Sequence, residues 1–261
     1  MKVLGISGSP RRGGNTDTLI RVALEALAAE GFETEFVSLA DRPVKPCVAC
    51  GGCFKSEEVR CVQEDPAFEG MIERFMAADG ILVGSPVYFG SATPQTMALL
   101  DRVGYVNRRH GFLRHKVGAA IAVARRAGQN FTFAQLNFFF LISEMFVPGS
   151  TYWNVAFGRA PGEVASDEEG MQTVRTLAAN MALLKGAARL LSELKIQFDV
   201  LSYRRSWEGY RVLVLPDQAT LDTGAAAKVQ AHLERGGAVL SSGAATVKAG
   251  KLPSGSVTWM L

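Results

Sequence analysis

Cys47, Cys50, Cys53 and Cys61 are the chain's only cysteines, and they stand in the pattern C-x2-C-x2-C-x7-C. Thiolates at every third residue wrap one corner of a compact cluster, and Gly51-Gly52 between them lets the backbone turn tightly. A fourth, more distant thiolate closes the cube. Ferredoxin-type cluster runs open with the same CxxCxxC and differ in where the last ligand falls. Zinc more often takes two separated CxxC knuckles, so three ligands this close favour iron–sulfur. Zinc and uncommitted thiols stand as the alternatives, whereas a disulfide is disfavoured in a reducing cytosol.

A second chemistry lies in Ser7-Gly8-Ser9-Pro10-Arg11-Arg12-Gly13-Gly14-Asn15-Thr16, between a predicted strand and a predicted helix. A helix N-terminus offers unpaired N–H groups and the positive end of a dipole, which suits a phosphate monoester. Ser7, Ser9, Asn15, Thr16 and Arg11 or Arg12 supply the hydroxyl, amide and cationic donors. The loop is neither GxGxxG nor a Walker sequence, which argues against a dinucleotide site or a P-loop kinase. Further on, Gly84-Ser85-Pro86-Val87-Tyr88-Phe89-Gly90-Ser91-Ala92-Thr93-Pro94 frames two aromatics with small residues and prolines. Such a loop walls a planar ring, and its backbone N–H groups reach ring oxygens and nitrogens.

Other candidates have simpler explanations. Seven Lys or Arg and no acid fall between Arg102 and Asn130. This block reads as a solvated basic loop, or as a surface that attracts phosphate or an acidic partner. His110 and His115 in that loop, and His232 further on, share no metal-like spacing and read as surface or structural. Asp167, Glu168 and Glu169 read as dipole and cap partners of a first helical turn rather than paired catalytic acids. Phe138-Phe139-Phe140 reads as core or subunit interface.

Positioning these residues requires a frame. Lys2–Ser7, Thr34–Leu39, Ile81–Gly84, Val117–Ala124 and Val147–Trp153 read as strands. Helices are expected at Thr16–Ala29, at Asp65-Pro66 with the stripe Phe68, Met71, Ile72 and Phe75, and at Phe131–Met145. A capping box of Ser166 and Glu169 opens another near Asp167, running through Gly186 to Leu194. Strands separated by helices predict an α/β fold with a doubly wound five-stranded parallel sheet. Phe198–Leu201, Arg211–Leu215 and Ala238–Leu240 as strands and Gly224–Glu234 as a helix make a short partial α/β C-terminal extension, whose apolar end, Trp259-Met260-Leu261, is expected to be buried.

Composition excludes several classes. With 48% hydrophobic and 20% charged residues and a net charge of +3, the 261 residues are neither disordered, fibrous nor a disulfide-rich miniprotein. The most apolar stretch, Phe131 to Val147, contains Gln135, Asn137, Ser143 and Glu144 and is too short to span a bilayer. The apolar run at the N-terminus is too short for a signal peptide. No membrane and a cytoplasmic location are expected. No aromatic residues interleave with the basic block in a recognisable binding module, so nucleic acid is not an expected partner.

SGSPRRGGNT, GSPVYFGSATPQTMALLDR, VARRAGQN and GSTYWNVAFGRAPGEVASDEEGMQTVRTLAANMALL, in that order, resemble the NADPH-dependent FMN reductase family, in its iron–sulfur flavoprotein branch. The resemblance covers about residues 1–188 and implies a flavodoxin-like FMN-binding domain there, with a cysteine-rich loop at 47–61. Residues 189–261 form the extension, of unknown role. It implies FMN with its phosphate on Ser7, Ser9, Arg11, Asn15 and Thr16, beside Pro10. The isoalloxazine ring would lie against Pro86, Val87, Tyr88, Phe89 and Gly90, with Ala127 and Gly128 on the facing loop. Arg125, Arg126, Trp153 and Asn154 are further candidates. It also implies a [4Fe–4S] cluster on Cys47, Cys50, Cys53 and Cys61.

The expected function is an FMN-dependent oxidoreductase, an electron-transfer flavoprotein linking the cluster, FMN and a small-molecule acceptor, with no catalytic side chain because the cofactors carry the chemistry. The donor is ferredoxin-like or NAD(P)H, and the basic block suits either an acidic donor or a 2′-phosphate. A homodimer or homotetramer is expected. The alternatives are an NAD(P)H-dependent FMN or quinone reductase without a cluster, and a non-catalytic flavodoxin-like binding or scaffold protein. From about Leu190 the tail resembles a fragment of a glutamine-amidotransferase-like domain, including the trimerisation domain of certain β-galactosidases. No cysteine follows Cys61, which excludes amidotransferase chemistry and leaves a structural or oligomerising role.

Overall fold

Five parallel strands form one sheet: β1 (Lys2–Ser7), β2 (Glu33–Ser38), β3 (Gly80–Pro86), β4 (Val117–Ala124) and β5 (Val155–Phe157), in the order β2-β1-β3-β4-β5. The computed structural model describes residues 1–193, 206–215, 220–242, 246–247 and 257–259. Six α-helices accompany this sheet: α1 (Asn15–Ala29), α2 (Gly52–Lys55), α3 (Met71–Ala77), α4 (Pro94–His110), α5 (Gln129–Ile142) and α6 (Glu168–Glu193). The period-two alternation of side chains sends strand neighbours to opposite faces. Leu4, Ile6, Ile81, Val83 and Ala120 pack with α3, α4 and α5. Val3, Leu82, Ala119, Ile121 and Val123 pack with α1 and α6. Burial on both faces explains why β4 is apolar and buried at every position. This is the flavodoxin-like arrangement.

Ser7 at the end of β1 pairs with Ser38 of β2 on one side and Gly84 of β3 on the other. The strand order reverses there, and the connections part to either face. That crevice beyond the carboxyl ends is where such sheets take ligands.

Four local expectations need correction. The fifth strand is not Val147–Trp153; it is Val155–Phe157, at the sheet edge, tied on by Ala122 N–H donating to Asn154 O at 3.0 Å. Asp65-Pro66 does not open a helix. Asp65 Oδ1 accepts from Ala67 N at 3.1 Å in a local turn, and regular helix begins only at Met71 after Gly70 in the left-handed region. Ser166 is not a helix cap; it closes a 3-10 turn, and Asp167 caps α6 by accepting from Gly170 N at 3.0 Å. Lastly, the basic block is not one solvated loop. It starts inside α4, where Arg102 is 1% exposed, and Lys116 Nζ donates to the carbonyls of Phe75, Met76 and Ala78 at 2.9, 2.6 and 2.7 Å.

The chain divides into two compact units, Met1–Lys185 and Gly186–Leu261. In the second, β6 (Val212–Leu215), β7 (Thr220–Leu221), α7 (Thr223–Glu234), β8 (Ala238–Ser242), β9 (Thr246–Val247) and β10 (Val257–Trp259) follow one another. One parallel sheet runs β10-β8-β6, and β7 pairs with β9. Asp222 caps α7, its carboxylate accepting from Ala225 N at 2.7 Å. His232 is buried with Nε2 3.3 Å from Ala238 O, a structural histidine. The strand expected at Phe198–Leu201, Met260-Leu261 and the side chain of Trp259 lie outside the described residues.

Candidate functional site

The turn from β1 into α1 is folded around a buried carboxylate. Ser7 Oγ donates to Asp17 Oδ1 at 2.5 Å, and Gly13 N–H donates to Asp17 Oδ2 at 2.8 Å. Ser9 Oγ accepts from Arg11 N at 3.0 Å and donates to Arg11 O at 3.1 Å, fixing the tip. Neighbouring loops are latched to it: Gly8 N–H donates to Gly84 O at 2.7 Å, and Thr93 Oγ1 donates to Gly8 O at 2.6 Å. A Cβ on Gly8 would sit 1.8 Å from Thr96 Oγ1, so glycine is required there. Gly14 precedes α1 with no side-chain cap, which leaves the first-turn N–H groups for an anion.

Above this turn opens a cavity of ≈ 470 Å³, within the usual size range for small-molecule sites. Ser9, Arg11, Gly14, Asn15 and Thr16 line one side, and Pro86, Val87 and Tyr88 another. Val123, Arg125 and residues 158–161 complete it. Its charged lining residues are Arg11, Arg125 and Arg159, with no acid, as a phosphate dianion requires. The cavity thus brings together seven of the residues singled out for FMN, Ser9, Arg11, Asn15, Thr16, Pro86, Val87 and Tyr88, together with the further candidate Arg125.

The others lie elsewhere. Ser7 is fully buried beneath the loop, and Pro10, Gly90, Ala127 and Gly128 are outside the lining. Phe89, at φ 52°, projects fully into solvent, held by the backbone pair Tyr88–Ser91. Gly128 packs on the loop of Val87 and Gly90 instead, since a Cβ there would come 2.9 Å from Val87 Cγ1. Arg126, Trp153 and Asn154 are also off the lining. The missed wall is residues 158–161. Asn15 Nδ2 donates to Ala160 O at 2.9 Å, and the Glu163 carboxylate accepts from the N–H of Ala160 and Arg159 at 2.6 and 2.7 Å. Those two N–H groups hold the Glu163 carboxyl below the ordinary carboxylate range. The Gly-Arg-Ala-Pro-Gly turn directly after a strand was the available signal.

The cysteines occupy the connection from β2 to α3. Gly51, at φ 68°, turns the chain into α2, which carries Cys53. Gly52 packs so closely on Val62 that a Cβ would meet Val62 Cγ2 at 2.2 Å, and this brings the first three cysteines against the Cys61 segment. Ala49 N–H donates to Cys47 Sγ at 3.4 Å. All four cysteines are free thiols lining one small cavity with Gln63, Arg102 and Tyr105. Burial pushes the Cys53 thiol up; a backbone N–H opposes this, and Cys61, Cys47 and Cys50 raise it further. Ionising four thiols that face one cavity needs a cation among them, and this all-sulfur donor set fits an iron–sulfur cluster. Among the described residues no three His, Cys, Asp or Glu side chains are already grouped to hold a metal ion.

Residues 1–160 match the family of NADPH-dependent FMN reductases. An iron-sulfur flavoprotein of Methanocaldococcus jannaschii is 46% identical over 190 residues, covering 70% of this chain and 96% of the relative. One from Methanosarcina thermophila is 40% identical over 184 residues, covering 69% and 93%. Among solved structures, RosB, with a bound riboflavin-5′-phosphate derivative, superposes with a TM-score of 0.57 at 20% identity, covering 80% of this chain and 92% of that one. A WrbA-like flavodoxin of Agrobacterium tumefaciens has a TM-score of 0.50 at 14% identity, covering 72% and 97%; both likenesses speak to the fold. The chain belongs to the NADPH-dependent FMN reductase family, as a flavin-dependent oxidoreductase on a flavodoxin-like sheet.

Proposed function

We propose that this protein passes electrons between a [4Fe–4S] cluster on Cys47, Cys50, Cys53 and Cys61, FMN in the cavity beyond β1 and β3, and a small-molecule acceptor. The convergence of all four cysteines on one cavity carries the cluster part of this proposal, and the naming of the relatives as iron-sulfur flavoproteins supports it. When bound, the cluster supplies one-electron transfer and FMN supplies one- or two-electron transfer.

The chain's own residues bind and orient. The first turn of α1 with Ser9, Asn15 and Thr16 donates to the FMN phosphate, while Arg11, Arg125 and Arg159 neutralise it. Pro86, Val87 and Tyr88 wall the ring; Phe89, Gly90, Ala127 and Gly128 shape that wall from behind or from its rim, and Ser7 and Pro10 shape the phosphate turn. A ferredoxin-like protein or NAD(P)H is the donor, met by the exposed Arg125 and Arg126. The exposed face of α5, with Phe131, Phe138, Leu141 and Ile142, supports assembly of copies into a homodimer or homotetramer. Among the described residues no helix is long and apolar enough to cross a membrane, and reduced thiols fit a cytoplasmic location.

Anaerobic purification followed by visible spectroscopy and iron and sulfide analysis tests the proposal. Flavin bands with a broad shoulder that bleaches on dithionite addition are expected. Cys50→Ser is expected to remove the shoulder and leave FMN bound. Flavin without iron or labile sulfide sinks the cluster and leaves a cluster-free reductase; full iron content in Cys50→Ser refutes the ligand assignment.

A further inference from the structure

Arg102 is the largest fully buried side chain among the described residues, and it lines the cysteine cavity. Its Nη2 donates to Cys61 Sγ at 3.5 Å and to Gln63 O at 2.9 Å. Its Nη1 donates to Asp65 Oδ2 at 2.5 Å and to Lys45 O at 3.4 Å. The guanidinium lies over the Phe68 ring, 3.8 Å from its centroid. The side chains of Arg102 and Asp65 are 0% and 3% exposed. Nε is buried and has no hydrogen-bond partner in the structure. A guanidinium placed to knit a loop would end its donors on oxygens; this one commits a donor to a cysteine sulfur.

Resting on the cluster proposed above, we propose that Arg102 is a positioning residue for Cys61 and raises the reduction potential of the cluster by donating to its sulfur. Reduction adds one negative charge to the cluster. A fixed N–H donor and cation beside a ligand sulfur favour that state, and burial strengthens the interaction. Asp65 offsets part of the charge and aims the fork, so the two residues act on the potential with opposite sign.

The test uses holoprotein reconstituted anaerobically with iron and sulfide and loaded with FMN. Wild type is compared with Arg102→Gln, Arg102→Lys, Asp65→Asn and the pair Arg102→Gln with Asp65→Asn, which leaves no lone buried charge. Iron and labile sulfide are counted, and cluster and flavin midpoints are read in one EPR-monitored potentiometric titration. Arg102→Gln alone is expected to favour the oxidised cluster about tenfold at a fixed potential, about 59 mV lower for a one-electron couple, and the pair shifts it in the same direction but less, because the opposing Asp65 charge goes too. Arg102→Lys shifts it less, Asp65→Asn shifts it upward, and the flavin midpoints stay put. Full iron with an unmoved cluster midpoint overturns the proposal, as does an equal shift of cluster and flavin. Variants that hold FMN but take up no iron with either Gln or Lys at 102 reduce Arg102 to a structural ion pair and also overturn it. Wild-type protein that holds FMN and takes up no iron removes the cluster itself, a failure distinct from the others.

Discussion

Two connections leave the carboxyl ends of adjacent strands and solve opposite problems. The loop from β1 to α1 is short, and its neighbours latch it through main-chain groups: Gly8 N to Gly84 O, Thr93 Oγ1 to Gly8 O, Gly13 N to Asp17. The connection from β2 to α3 is long, with only the four-residue α2 regular within it. Connections of that length without regular structure are uncommon unless they carry function. Beside its apolar anchors Leu39, Val44, Cys53 and Phe68, it is tied to α4 side chain to side chain, Arg102 to Asp65. A site made of backbone and a helix end is positioned by the fold itself; a site made of four thiolates is positioned by whatever holds the loop.

Cutting that tie is expected to have the largest effect. Asp65→Ala leaves the Arg102 guanidinium buried without its carboxylate, at a cost of about 3–5 kcal/mol. Thermal unfolding should then fall by about 10 °C for a unit of this size. A loss below about 1 kcal/mol would place the pair among ordinary surface bridges and break the contrast. Matched glycine substitutions sharpen it. A Cβ on Gly8 meets Thr96 Oγ1 at 1.8 Å and Gly84 O at 3.1 Å, inside a fully buried pocket. The three atoms nearest a Cβ on Gly52 all belong to the side chain of Val62, which is 40% exposed and can move. Gly8→Ala is therefore expected to cost about 1–3 kcal/mol and weaken FMN binding, while Gly52→Ala costs less than about 1 kcal/mol. Chemical denaturation of both variants checks the order; equal losses would mean the two loops are equally rigid.

Ser9→Ala probes the same loop more gently. It removes a hydroxyl bonded to both the N–H and the carbonyl of Arg11, worth about 1 kcal/mol. FMN affinity by fluorescence quenching should drop about fivefold and Tm by only about 2–4 °C; an unchanged affinity would show that the backbone alone shapes the turn.

The same contrast decides what could be read before folding. A strand, a Gly/Ser turn and a helix in sequence already specify where N–H groups point, so Ser9, Asn15 and Thr16 were legible. The cysteines were legible by spacing. The Arg102–Asp65 pair was not, because each residue has a plausible local role. Asp before Pro is both a helix cap and a turn former; here Oδ1 makes the turn to Ala67 while Oδ2 goes to Arg102, and the helix waits until Met71. Arg102 sits in a basic run that looks solvated, and only tertiary packing buries it. The fifth strand was misplaced because its observed span is three edge residues, shorter than any alternation signal. The wall at residues 158–161 depends on a contact from Asn15, far away in sequence.

The smallest expected effect concerns that wall. The Glu163 carboxylate accepts from the N–H of Ala160 and Arg159, which holds its pKa below the ordinary carboxylate range. A carboxyl lowered in the folded state stabilises the turn fully above its unfolded pKa, and the contribution fades as pH falls through the lowered folded pKa. Both N–H groups donate to the same oxygen, Oε2, so protonation at Oε1 removes the charge and weakens both bonds, loosening residues 158–161 along the cavity that Arg159 helps to line. FMN affinity is therefore expected to decline slightly as the solution is acidified below the ordinary carboxylate range. Glu163→Gln is expected to start from the weakened value and lose this part of the pH dependence, because its amide oxygen accepts less strongly and does not titrate. Parallel binding curves for the two proteins across that range check the sign. If wild type and Glu163→Gln decline together, the acid sensitivity lies in the flavin phosphate rather than in the turn, and the phosphate site owes its shape to α1 and β3 alone.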